Sequence, residues 1–270
     1  MVREHAVRNG KIILEQEACL PITSREVQFG FSTYESIRVV ESHPVHLEDH
    51  LIRLENSCKG IGLIHPFTSG ELTDWVHELI RVDLLEEASV RILVVGGKEP
   101  LCFITAAPLL TYPDSHYFEG VKAITYEGER LMPSCKTGNL LLNYMALEKA
   151  RSEGGFEALL IDRNGKVLEG TRSNFFAFRE GKLYTAGDDE VLLGITRDRI
   201  IKAATMLGIE VVLEAPLAKD LHASLYDEAF ISATSMAAMP LSRVDSVTFK
   251  PPFERTNAIK ALVRSWELED

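Results

Sequence analysis

Apolar residues recur along this chain at two spacings, and the spacing switches from segment to segment. Across residues 46–61, Leu47, Leu51, Leu54, Cys58 and Ile61 fall on one face at three- and four-residue steps, which predicts an amphipathic helix. Residues 71–82 repeat the pattern through Leu72, Val76, Leu79 and Ile80. Residues 31–40, 90–95 and 102–106 are short, strongly apolar runs that predict strands, the last two bounded by Gly96-Gly97 and Pro108. Asn9-Gly10, set between Ala6-Val7-Arg8 and Lys11-Ile12-Ile13-Leu14, predicts a tight hairpin near the start.

From Pro108 to Gly120 the texture changes, with two prolines and no clean period. This stretch reads as a linker. Beyond it the pattern predicts a strand over 121–126, a helix over 140–151, and two strands within 158–178 turning at Asn164-Gly165. A turn at Glu180-Gly181, a helix from about 196 to 207 stopped by Gly208, a strand over 229–233 and a helical tail from Glu254 complete the reading. The expected fold class is α+β, with a first domain over 1–110, a linker over 111–120 and a strand-rich second domain over 121–270.

Composition narrows the function classes. The chain has 46% hydrophobic and 26% charged residues and a net charge of −11, with no Lys/Arg block. That argues against nucleic acid or anionic membrane as the main partner. No run nears the roughly 18 apolar residues of a membrane span. Met1-Val2-Arg3-Glu4-His5 is followed by no apolar run, so no signal peptide is expected. Cys19, Cys58, Cys102 and Cys135 are dispersed without a C-x-x-C pair, as expected of thiols in a reducing, cytoplasmic setting rather than a disulfide or metal cage.

Three segments carry candidate chemistry. Lys136 lies in an otherwise uncharged setting, Pro133-Ser134-Cys135 before it and Thr-Gly-Asn-Leu-Leu-Leu after it. A partly desolvated lysine has a depressed pKa, and its neutral amine attacks an aldehyde to form a Schiff base. The plain alternative is a lysine at a helix start with its head in water. Glu169, in Val-Leu-Glu-Gly-Thr-Arg-Ser-Asn, is either a carboxylate that keeps a ring nitrogen protonated or an acid ending a turn at Gly170. Gly194-Ile195-Thr196-Arg197 is either a helix N-terminus that holds a phosphate or an ordinary helix start. A lysine, a carboxylate and a phosphate seat are what pyridoxal 5'-phosphate asks of a protein.

Together these segments resemble the class IV (fold type IV) pyridoxal-phosphate aminotransferases, the group of branched-chain aminotransferases, D-amino-acid aminotransferases and aminodeoxychorismate lyases. Three more stretches extend the likeness over nearly the whole chain. Arg25-Glu-Val-Gln-Phe-Gly-Phe-Ser-Thr-Tyr34-Glu35 is similar to the family's N-terminal motif, His50-Leu-Ile-Arg53-Leu to its H-x-x-R-L helix, and residues 230–240 to its late strand and loop. The resemblance implies a smaller N-terminal α/β domain, a larger C-terminal pseudo-barrel and a homodimer. It makes Lys136 the Schiff-base lysine and general base. Glu169 becomes the partner of the pyridine nitrogen, and Arg53, Ile195, Thr196 and Thr234 become phosphate contacts. Tyr34, Arg91, Arg172 and Ser235 fall to the substrate, with Arg91 meeting the side-chain carboxylate of glutamate or 2-oxoglutarate.

The implied reaction transfers an amino group between a hydrophobic, branched-chain-like amino acid and the keto acid 2-oxoglutarate. Two alternatives stay open. One is an aminodeoxychorismate lyase releasing pyruvate and 4-aminobenzoate, for which the short length and Met239-Pro240 speak. The other is a D-amino-acid aminotransferase, whose wording Lys-x-x-Asn-Leu-Leu approaches, although Gly96-Gly97-Lys98 lacks the arginine and histidine those enzymes carry there. Leu140-Leu141 stands where branched-chain enzymes have an aromatic, and Arg172 where relatives have a small or acidic residue.

Overall fold

A computed structural model describes residues 4–268; Met1–Arg3 and Glu269–Asp270, which the two expected domains include, lie outside the described residues. The chain divides into two compact units. Of the described residues, the first holds 4–110, together with Cys135–Asn139 and 267–268, and the second holds Thr111–Ser134 and Leu140–Trp266. The short Cys135–Asn139 segment, expected in the second domain, groups with the first unit.

The first unit contains β1 (His5–Arg8), β2 (Lys11–Leu14), α1 (Arg25–Gln28), β3 (Ser32–Val40), β4 (His43–Pro44), α2 (Leu47–Gly60), α3 (Ser69–Val82), β5 (Ala88–Val95) and β6 (Leu101–Pro108). Its strands form a six-stranded sheet in the order β2-β1-β6-β5-β3-β4. Successive side chains on a strand face opposite ways, so only one face of this sheet takes the helices. Ile37, Val39, Val90, Ile92, Val94, Ile104 and Ala106 meet Leu51, Leu54, Leu72, Val76, Leu79 and Ile80 in one buried core. Thr68 and Glu71 cap α3 reciprocally, each side chain answering the other's backbone N–H.

The second unit contains α4 (Asp114–Phe118), β7 (Val121–Glu127), α5 (Leu141–Ser152), β8 (Glu157–Ile161), β9 (Val167–Gly170), β10 (Asn174–Arg179), β11 (Lys182–Thr185), α6 (Ile195–Met206), β12 (Val211–Leu213), α7 (Ala218–His222), β13 (Glu228–Ala233), β14 (Ala237–Val244), β15 (Val247–Thr248) and α8 (Glu254–Ser265). Its strands run β12-β11-β10-β13-β14-β7-β8-β9, and β9 pairs again with β10. That last pairing closes a ring of six strands, with Glu169 opposite Asn174 at the closure. β7 and β8 are parallel, so a crossover must join them. That crossover contains both the Lys136 segment and α5. Phe175, Ala229, Ile231, Met239 and Leu241 fill one core of this unit. Phe176 stacks on Phe230 in a second, with ring centroids 4.8 Å apart.

Most expected elements are present; residues 158–178, expected as two strands, hold three, and α1, β4, β11, β12, α7 and β15 are additional. The linker stretch contains the short α4. Residues 237–244, for which no element was expected, form a strand in the middle of the ring. Pro240 hides that strand in the sequence, since proline is rare in central strands. It fits here because pairing with β7 begins at Leu241, one residue later. Among the described residues no helix is long and apolar enough to cross a membrane.

Candidate active site

In the first unit the lysine is fastened through its backbone. Lys136 N–H donates to Ser57 Oγ on α2 at 3.0 Å, and Lys136 C=O accepts from Tyr34 N–H on β3 at 3.0 Å. Thr137 bridges to Thr33, and Gly138 N–H donates to the Ser32 carbonyl at 2.8 Å. A Cβ at Gly138 would overlap Ser32 Oγ, which accounts for glycine two residues after the lysine. With its main chain held on both sides, the Lys136 ammonium lies over the Tyr34 ring, 4.6 Å from the centroid.

The Arg91 guanidinium lies over the same ring at 4.1 Å. Arg91 is exposed, on the face of β5 opposite the helix-packed core. Over residues 90–94 the apolar run around it is therefore buried on one face only. The strand alternates, and arginine marks its open side. Among the described residues Arg91 makes no salt bridge.

Arg53 is held differently. Its Nε and Nη2 each donate to one oxygen of Glu35 at 2.7 Å, and Glu35 is fully buried. His50, three residues before Arg53 on α2, meets Glu35 Oε2 at 2.7 Å through Nδ1. Burial pushes the Glu35 carboxyl up, but the Arg53 guanidinium and the hydrogen bonds from Arg53 and His50 outweigh it and hold it at about 2. Burial pushes His50 down against the pull of Glu35, helped by the charges of Arg53 and Lys136. The imidazole is therefore neutral at pH 7, and its proton sits on Nδ1, the nitrogen that faces a carboxylate.

In the second unit the Glu-Gly and Gly-Ile-Thr segments come together. Glu169 Oε2 accepts from Leu192 N–H at 3.3 Å, and Asn174 Nδ2 donates to the Leu192 carbonyl at 2.9 Å. Two residues on, a Cβ at Gly194 would overlap Asn174 Oδ1. Glycine thus leaves Asn174 undisturbed where α6 begins. Gly194 caps this twelve-residue helix without any side-chain hydrogen bond. Ile195 and Thr196 follow, both buried. Amides at the positive end of a helix, uncapped by a side chain, suit a phosphate.

Glu169 also pairs with Arg130, whose Nη1 lies 3.3 Å from Oε1. Sequence reasoning missed Arg130, since nothing local ties Gly-Glu-Arg-Leu to a carboxylate 39 residues away. It missed Glu157 as well. This buried acid accepts from Thr171 N–H at 3.1 Å, from the Thr171 hydroxyl and from Ser173 Oγ at 3.0 Å. It thereby fixes the turn that follows Glu169.

Of the remaining predicted residues, Arg172 turns outward, its guanidinium 5.0 Å from the Phe156 ring centroid and 3.8 Å from Glu157. Thr234 and Ser235 lie half-buried in the loop between β13 and β14. Ser235 Oγ is 3.2 Å from Tyr112 Oη, and its carbonyl accepts from Arg264 at 3.0 Å. Among the described residues no cluster of His, Cys, Asp or Glu could hold a metal.

A family model described as amino-transferase class IV matches residues 32–244, most of the chain. The chain belongs to the class IV aminotransferases. Branched-chain and D-alanine aminotransferases are both among the similar proteins. A D-alanine aminotransferase of Bacillus licheniformis is 31% identical over 252 residues, covering 89% of this chain and 88% of that one. The branched-chain aminotransferase of Thermoproteus uzoniensis, solved with norvaline, is 28% identical with a TM-score of 0.89, covering 99% and 97%. A T.th. branched-chain aminotransferase, complexed with N-(5'-phosphopyridoxyl)-L-glutamate, is 25% identical with a TM-score of 0.87, covering 100% and 97%. The fold is thus fold type IV, and the cofactor of the enzyme is pyridoxal 5'-phosphate. The uncapped start of α6, the fixed Arg53 fork and the backbone-pinned lysine fit that group.

Proposed function

We propose that this aminotransferase moves an amino group between a hydrophobic, branched-chain-like amino acid and 2-oxoglutarate. The observation that carries the catalytic assignment is the fastening of Lys136 by Ser57 and Tyr34, which fixes its backbone and with it the place from which the side chain starts. Pyridoxal phosphate, when bound, supplies an aldehyde for that amine and an electron-accepting ring. Lys136 Nζ takes the proton from the substrate Cα and returns one when the keto acid is aminated. Glu169 serves the ring nitrogen, oriented by Arg130 and Leu192 N–H. Arg53, Ile195, Thr196 and Thr234 serve the phosphate. Tyr34, Arg91, Arg172 and Ser235 serve the substrate. The T.th. enzyme's complex with a phosphopyridoxyl-glutamate and the T. uzoniensis enzyme's complex with norvaline support a glutamate-linked reaction on an apolar amino acid. Trapping the cofactor on Lys136 by borohydride reduction tests the assignment.

Arg91 is the residue we assign to the second carboxylate of 2-oxoglutarate. It is exposed, cationic and, among the described residues, without a carboxylate partner, and it shares the Tyr34 ring with Lys136. Arg91→Ala is expected to raise KM for 2-oxoglutarate by about 10–100-fold, the equivalent of ~1.5–3 kcal/mol for a charge-assisted bond. KM for leucine should change far less. Equal effects on both substrates in steady-state assays would make Arg91 structural.

A second reading is favoured by the D-alanine aminotransferase relative, namely the same reaction on D-amino acids. Adding single L- and D-amino acids to the loaded enzyme, and following absorbance as the cofactor accepts the amino group, separates the two.

We further infer a homodimer in the cytoplasm. Phe29 is exposed on the first unit, and Leu131, Leu141, Tyr144 and Met145 are exposed on the second, apolar side chains that a partner copy would cover. Burial pushes the thiols of Cys58 and Cys102 up to about 11 and about 12, as suits inert, reduced cysteines. Light scattering should give twice the 30.2 kDa chain mass, or a higher even multiple. A fully active monomer would rule the dimer out.

A further inference from the structure

We propose that Glu35 is a positioning residue for the cofactor phosphate, acting through Arg53 and itself held by His50. The proposal rests on the assignment of Arg53 to the phosphate and goes beyond it, because it gives a function to a buried acid that the reaction does not otherwise use.

Attraction alone does not explain the arrangement. A guanidinium meant only to draw in an anion gains nothing from a carboxylate bonded to it, since the pair carries no net charge. A two-point pairing does something else. With Nε and Nη2 each on one Glu35 oxygen at 2.7 Å, the plane of the guanidinium is fixed, and so are the directions of its other N–H bonds. An arginine side chain otherwise has many rotamers to lose on gripping a ligand. The carboxylate also makes the burial of Arg53 tolerable, because an unpaired buried cation is strongly disfavoured.

His50 completes the device without adding charge. It is 1% exposed and neutral, and its Nδ1–H holds Glu35 Oε2 at 2.7 Å. Both carboxylate oxygens are thereby engaged by residues of one helix, α2. That helix also carries Ser57, which holds the Lys136 amide, and β3 carries Tyr34 directly before Glu35, which holds the Lys136 carbonyl. The elements that orient Arg53 are therefore those that orient the lysine. A single rigid pair, α2 on β3, sets the register between the phosphate contact and the reactive amine.

The test compares pyridoxal 5'-phosphate with pyridoxal, which lacks the phosphate, by titrating the cofactor-stripped full chain with each. In Glu35→Gln the preference for the phosphorylated form is expected to fall about tenfold or more, with affinity for pyridoxal within about twofold of wild type. His50→Asn should lower the preference less, in the same direction. Adding Glu35→Gln to Arg53→Ala should lower it no further, because the two act as one unit. Equal loss of affinity for both ligands would mean a general structural role, and an unchanged preference would mean none; either overturns the proposal, as would additive effects in the double variant. If Arg53→Ala leaves the preference unchanged, it is the assignment of Arg53 to the phosphate that fails. Should Glu35→Gln not fold, Glu35→Asp keeps the charge but is one methylene too short to meet both donors, and the preference should still fall.

Discussion

Lys136→Ala is expected to abolish turnover while leaving a folded protein that still binds the cofactor. The backbone contacts that seat residue 136 use its N–H and C=O, which alanine retains. The deletion removes the amine, and with it the contact with the Tyr34 ring, while the backbone seat stays in place. Loss of proton transfer alone costs about 10²–10⁴-fold, and loss of the nucleophile adds to it, so measured kcat should fall below detection. Arg53 and the start of α6 remain, so phosphate-based binding should persist. In the wild-type enzyme, borohydride reduction followed by peptide mass spectrometry should place the cofactor's mass on the Lys136 peptide. Label on another lysine would sink the assignment. Release of pyruvate from aminodeoxychorismate, with no keto acid aminated, would replace the transferase reading by the lyase.

The parts of this site that sequence makes legible are those carried by contiguous residues. The Lys136, Glu-Gly and Gly-Ile-Thr segments each announce themselves by local wording, and glycine is placed where a Cβ would overlap a neighbour, as at Gly138 and Gly194. The residues that sequence leaves hidden act through partners far along the chain. Ser57 holds an amide 79 residues away, and Arg130 meets Glu169 across 39. Neither Ser nor Arg has a local pattern that declares such a partner. The exposure of Arg91 is hard to read for a different reason. Val-Arg-Ile-Leu-Val-Val reads as a buried run, whereas the sheet packs helices on one face only and leaves the arginine's face open. The core strand at 237–244 was masked by Pro240, whose missing N–H matters only where a neighbour needs it.

Glu169→Gln separates electronic from anchoring roles. Glutamine is nearly isosteric and can still accept from Leu192 N–H, so the clamp on the segment before α6 should hold. Cofactor affinity should therefore stay within a few-fold of wild type. The lost charge has two consequences. A neutral amide does not hold a proton on a ring nitrogen, and Arg130, whose guanidinium lies 3.3 Å from Glu169, is left facing an amide instead of a carboxylate. Both raise the barrier to forming a carbanion at the substrate Cα. A fall in kcat on the order of 10²–10³-fold is expected, the range for removing one preorganised electrostatic group. Arg53→Ala should behave oppositely, weakening cofactor binding by about 10–100-fold while a saturated enzyme keeps most of its kcat. Equilibrium titration and single-turnover rates on the two variants decide the matter. If both substitutions weaken binding alike and slow the chemistry alike, the division of labour between the carboxylate of β9 and the guanidinium of α2 is wrong.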